Sequence, residues 1–89
     1  MITDSLLTNM EQWLMQEKGF KKRSSKDVTC RIRRLNKLLP IPERNDNDYE
    51  YYIFHLEKNK KFLLLSINVK SQLRRSKKLY DEYIGLINF

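Results

Sequence analysis

Apolar residues recur along this chain at the period of an α-helix in separate runs, which restricts the fold to helices packed side by side. Leu6, Leu7, Met10, Trp13 and Leu14 fall at i, i+1, i+4, i+7 and i+8, and Val28, Ile32, Leu35 and Leu39 at i, i+4, i+7 and i+11. A third run, Tyr49, Tyr52, Ile53 and Leu56, and a fourth, Val69, Leu73, Ser76, Tyr80, Tyr83, Ile84 and Ile87, repeat the pattern. Ser76 is the small member of the last stripe, where a close helix crossing is expected. Phe62–Leu65 has the composition of a strand, but one strand has nothing to pair with, so it reads as an apolar lead-in to the last helix. The expected fold is all-α: a small bundle of four to five helices in one domain.

Caps and breakers set the boundaries. Thr3 or Asp4 is placed to cap the first helix, and Gly19 lies just past its end, where a positive φ suits Gly. Phe20 then folds back as an apolar plug. The second helix is expected from Ser24 or Ser25, with Asp27 in its first turn, and Pro40-Ile41-Pro42 stops it. The third begins near Asp46 or Asp48, and Lys58 to Lys61 supply cations at its negative end. The fourth runs from about Ser66 to Ile87.

Charge is laid over this frame unevenly. The net charge is +7, yet residues 21–37 hold eight Lys or Arg against one Asp, and residues 70–78 hold five against none. Residues 43–57 hold five acids and one Arg. A one-sided field of this kind orients an anionic partner. Lys26, Cys30, Arg33 and Lys37 point away from the second helix's apolar stripe, and Lys70, Arg74, Lys77 and Lys78 lie on outer positions of the fourth. Lys21, Lys22, Arg23 and Ser24 gather beside a helix N-terminus, whose free N–H groups suit a phosphate oxygen. Ser66, Asn68 and Lys70 repeat that chemistry. The expected DNA-contacting set is Lys21, Lys22, Arg23, Ser24, Lys26, Arg33, Arg34, Lys37, Asn68, Lys70, Arg74, Lys77 and Lys78.

Other chemistries find little support. Eighty-nine residues bury only about 60–65% of the unfolded surface, which supports one modest core. Cys30 is the single cysteine, so neither an internal disulfide nor a cysteine cage for metal is available. His55 and Glu57 diverge at i, i+2, as do the carboxylates Asp46 and Asp48 at i, i+2 and Asp81 and Glu82 at i, i+1. Two isolated glycines make no phosphate loop. The five tyrosines read mostly as core with hydroxyl tips at the rim. No cofactor and no metal site are expected. The longest apolar run is four residues and no secretory leader is visible, so a cytoplasmic location without a membrane partner is expected.

An opening amphipathic helix, then Gly19, Phe20 and Ser24 leading into Val28, Ile32 and Leu35, resembles the N-terminal core-binding domain of tyrosine recombinases and phage integrases. The segment Ser66 to Ile84, with Leu73, Leu79 and Tyr80 on apolar positions, is similar to the last helix of that domain. The likeness spans nearly the whole chain and rests on a loose set of apolar positions and caps. It implies a SAM-like bundle of bacterial, phage or mobile-element origin that clamps duplex DNA through its second and fourth helices. Ser24 and Lys26 would then meet the backbone at the start of the second helix, and Lys70, Arg74 and Lys77 along the fourth. Lys21 and Val28 stand where the family usually has Ser and an aromatic residue. The family's catalytic Arg, His-x-x-Arg and nucleophilic Tyr belong to a C-terminal domain outside these residues. The implied partners are therefore DNA, such a catalytic domain or other recombinase protomers, and the implied role is non-catalytic. The alternative is a protein-interaction module that docks an acidic partner or self-associates through Tyr49, Tyr51, Tyr52 and Phe54, of which Tyr51 or Phe54 is expected at the surface.

Overall fold

A computed structural model describes residues 2–41 and 49–87, and it is helical throughout with no strand among the described residues. Five helices follow in order: α1 (Asp4–Glu17), α2 (Lys22–Leu38), α3 (Tyr49–Leu56), α4 (Lys60–Leu63) and α5 (Ile67–Ile87). α1, α2 and α5 pack on one another, and α3 packs on α5. The expected all-α bundle is what forms.

The Thr3 hydroxyl caps α1, accepting from the Leu6 N–H at 3.1 Å. The helix ends as expected on Gly19 at φ +69°, where the Phe20 N–H donates back to the Leu14 carbonyl at 3.0 Å. That bond turns the chain so that half-buried Phe20 packs on the core.

α2 departs from expectation at its start. It begins at Lys22, with Lys21 as an N-cap that makes no side-chain bond. Ser25 does not cap, because it is buried and its hydroxyl donates to the Lys22 carbonyl at 2.7 Å within the helix. Asp27 consequently sits in the second turn. At the far end, Asn36 Oδ1 accepts from the Ile41 N–H at 2.9 Å, and Leu39 follows the helix rather than belonging to it.

The caps expected for the third helix, Asp46 and Asp48, lie outside the described residues. α3 is fastened by Tyr52, whose hydroxyl donates to the Leu39 carbonyl at 2.7 Å. Lys60 and Lys61 do not close α3 but form the short α4, because Asn59 starts a new helix. Its Oδ1 accepts from the Phe62 N–H at 3.0 Å while its Nδ2 donates to the Leu38 carbonyl at 2.8 Å. The apolar lead-in divides: Phe62 is core and Leu65 half-buried, but Leu63 and Leu64 face solvent. Ser66 Oγ caps α5 by accepting from the Val69 N–H at 3.2 Å.

The core gathers Leu7, Met10 and Leu14 from α1, Val28, Ile32 and Leu35 from α2, Tyr52 and Leu56 from α3, Phe62 from α4, and Leu73, Tyr80, Tyr83 and Ile84 from α5. Burial of about a dozen such side chains, at about 1.5–3 kcal/mol each, is the main force holding the bundle. Ile87, expected on the inner stripe, is largely exposed at the end of α5.

Candidate nucleic-acid interface

Seen down α2 at 100° per residue, the buried positions Ser25, Val28, Thr29, Ile32 and Leu35 occupy one side. Arg23, Lys26, Arg34 and Lys37 occupy the other and are exposed. The cations between these sides divide by neighbour. Arg33 turns toward α1 and meets Asp4 at 3.2 Å, an exposed pair that contributes little to stability. Arg31 turns the opposite way, toward α5.

There an open groove of about 580 Å³ runs between the N-terminal half of α2 and the middle of α5. Lys21 and Arg31 line one wall and Arg75 and Gln72 the other, over a floor that includes Val28 and Ser76. Asp27 is the one acid among the described residues that line it. Among the described residues neither Arg31 nor Arg75 makes an ion pair. Ser24, expected as a backbone contact, also lines the groove.

α5 does not present all its cations on that side. Arg74 and Lys78 follow a stripe on its outer surface, and Lys70 lies beside it with Nζ 5.9 Å from the centre of the Phe62 ring. Asn68 is exposed near the start of the helix, on the flank that carries Gln72 and Arg75. Arg74 lies toward α3, near enough to Tyr49 for its charge to oppose, in part, the rise in Tyr49 pKa that burial causes.

Lys77 is the correction. Expected at the surface, it is 2% exposed, because a step of 100° from buried Ser76 carries it under α3. Its ammonium pairs with Asp81 and sits 4.6 Å above the Tyr52 ring. Burial raises the Asp81 carboxyl above the usual range, while the bond and charge of Lys77 pull the other way. Burial, with the Asp81 charge second, also pushes Tyr80 up to about 12. Lys77 is therefore an internal counter-ion and leaves the DNA-contacting set.

The groove thus brings together Lys21 and Ser24, leaves Lys22, Arg23, Lys26, Arg34 and Lys37 on the outer faces of α2, and adds Arg31, Gln72 and Arg75. Sequence reasoning missed these three. Their signal was their place at the margin of an apolar stripe rather than opposite it.

Cys30 is exposed on the cationic outer face of α2. His55 is exposed between Tyr51 and Phe54, with ring centroids at 4.6 Å and 5.5 Å. Among the described residues no three His, Cys, Asp or Glu side chains converge in a way that can hold a metal ion. No helix among them is long and apolar enough to cross a membrane. No protein-family model, curated protein or solved structure matches this chain.

Proposed function

We propose that this chain is a non-catalytic DNA-binding domain that grips duplex DNA with α2 and the outer and groove-facing sides of α5. The observation that carries the reading is the groove that Lys21, Arg31 and Arg75, from two helices, line together beside the exposed cations Arg23, Lys26, Arg34 and Lys37 of α2. Each Lys or Arg that neutralises a phosphate releases condensed counterions, so affinity arises without sequence readout. From Arg23 to Lys37 the outer row of α2 runs about 21 Å at 1.5 Å per residue. A major groove is about 12 Å wide, so such a row reaches the backbone on both of its rims. The guanidinium groups of Arg31 and Arg75 match a phosphate with paired N–H donors. The resemblance to the core-binding domain of tyrosine recombinases and phage integrases supports the same two helices and suggests a role in DNA integration or recombination.

The test is fluorescence anisotropy of a labelled duplex of about 20 bp at two salt concentrations, where log affinity falls by about 0.9 for each phosphate engaged per decade of salt. The double variant Arg31→Gln/Arg75→Gln is expected to flatten that slope by nearly two. Absence of binding at low salt would end the proposal.

A second reading, a protein-interaction module, rests on Tyr51 and Phe54, which are 53% and 56% exposed on one short helix. A concentration-dependent dimer with no duplex affinity would favour it.

A further inference from the structure

The corner between α4 and α5 carries an apolar tip that the core does not use. Leu64 is 86% exposed, Ile67 79% and Leu63 51%, so three large aliphatic side chains in five residues face solvent. The corner is anchored at three points. Phe62 anchors it in the core, Asn59 caps the helix before it, and Ser66 caps the helix after it. The Leu65 N–H donates to the Phe62 carbonyl at 3.0 Å, which closes the turn and leaves Leu64 at its apex.

Cations surround this tip. From Lys58 to Tyr80 the sequence holds no acid, and of its eight Lys and Arg only Lys77 is buried while Arg75 turns to the groove. Lys60 and Lys61 are exposed on the turn before the tip. Ile67, Arg74 and Lys78, at i, i+7 and i+11, share one face of α5, so the tip forms one end of the outer cationic stripe. An apolar point inside a cationic collar complements a partner with anionic walls and an apolar interior. The minor groove, about 6 Å wide between two phosphate rows and floored by stacked bases, has that character and admits a single turn of chain. A second copy of this chain would bring like charges together around the tip. A bilayer surface is a poorer match, because the segment from Lys58 to Ile67 offers no exposed Trp, Tyr or Phe to lodge among headgroups.

We infer that the α4–α5 corner is a wedge: Leu64 and Ile67 enter the minor groove and unstack a base step while Lys60 and Lys61 hold the flanking phosphates. This rests on the DNA-binding reading above and adds to it that the duplex is distorted on binding. Flexible pyrimidine–purine steps unstack most easily and would be the preferred point of entry.

The experiment uses a duplex of about 20 bp with 2-aminopurine at a central TA step, read by base fluorescence and by end-to-end energy transfer. Wild type should raise the 2-aminopurine signal and shorten the end-to-end distance. Leu64→Ser/Ile67→Ser, both at exposed positions and checked for unchanged helix content, should keep the salt slope and lose both signals, with affinity down about tenfold. Lys60→Gln/Lys61→Gln should keep unstacking at low salt and lower the slope by about two. If wild type binds without unstacking, or the double serine variant unstacks as well as wild type, the wedge is wrong and the DNA reading stands. If wild type does not bind duplex at all, both fall. Leu64-dependent binding to phosphatidylserine vesicles without base unstacking would reassign the tip to a membrane and overturn the wedge.

Discussion

Lys77→Met separates the structural cation of α5 from those proposed to meet DNA. In the wild type the Lys77 side chain is 3% exposed and that of Asp81 16%, and Asp81 Oδ2 already lacks a hydrogen-bond partner among the described residues. Methionine fills most of the lysine stem's volume but leaves the Asp81 carboxylate buried without its counter-ion. Breaking a buried pair from one side costs about 3–5 kcal/mol, and the residual exposure of Asp81 argues for about 3 kcal/mol. In a domain of this size each kcal/mol lowers Tm by about 4–8 °C, so a drop of about 12–24 °C is expected by circular dichroism at neutral pH. The deficit should depend on pH. With Lys77 gone, nothing from that side chain opposes burial, and the folded state holds the Asp81 proton more readily than the unfolded chain does. The variant therefore regains stability relative to wild type as pH falls through that raised pKa. Lys77→Met/Asp81→Leu should recover most of the loss. Below the variant's melting range, the salt slope of duplex binding should match wild type. A loss under about 1 kcal/mol that is flat with pH would refute the buried-pair account. A slope lower by about one would return Lys77 to the phosphate-binding set.

Three further outcomes follow from local geometry. Asn59→Ala removes the α4 cap and the bond to the Leu38 carbonyl together, at about 1–2 kcal/mol in urea unfolding, with faster amide exchange at Phe62 and Leu63. Gly19→Ala and Gly85→Ala meet no neighbour within 4 Å, yet they should differ in sign. The first forces a side chain into φ +69° and loses about 1 kcal/mol, whereas the second sits inside α5 and gains up to about 1 kcal/mol. At alkaline pH, burial keeps Tyr80 protonated to about 12 and raises Tyr52 as well, against 10.0 for a free tyrosine. The stability these groups contribute is complete below pH 10 and lost as pH rises through the folded values, so tyrosinate absorbance should climb together with loss of helix signal. Tyrosines titrating near 10 with the helices intact would contradict this.

The helices were legible because their apolar spacing has one solution: every buried position of α1 and five of the six on α5 lie on stripes visible in the sequence. α2 hid its first turn, since Ser25 looks like a cap and serves as a small buried residue bonded within its own helix. α4 hid because Asn59 performs two tasks, and one of them, the bond to Leu38, exists only after α2 is in place. At the interface, exposed α2 positions such as Lys26 and Lys37 could be read from the wheel. Lys77 could not, because its burial depends on α3 arriving over that side of α5. Arg31 and Arg75 escaped for the converse reason: a flank becomes a groove only when two helices are set beside each other.

Ser76 and Val28 have a bearing on that groove beyond filling its floor. The gap between the guanidinium groups of Arg31 and Arg75 is gauged by the uncharged side chains underneath, as a spacer sets the opening of a caliper. Exchanging buried Ser76 for a bulkier residue would remove no charge and, besides overpacking the crossing, would push the two walls of the groove apart. Under the DNA-binding proposal, the choice between anionic lattices of different pitch would then depend on the uncharged base of the groove as well as on its charges.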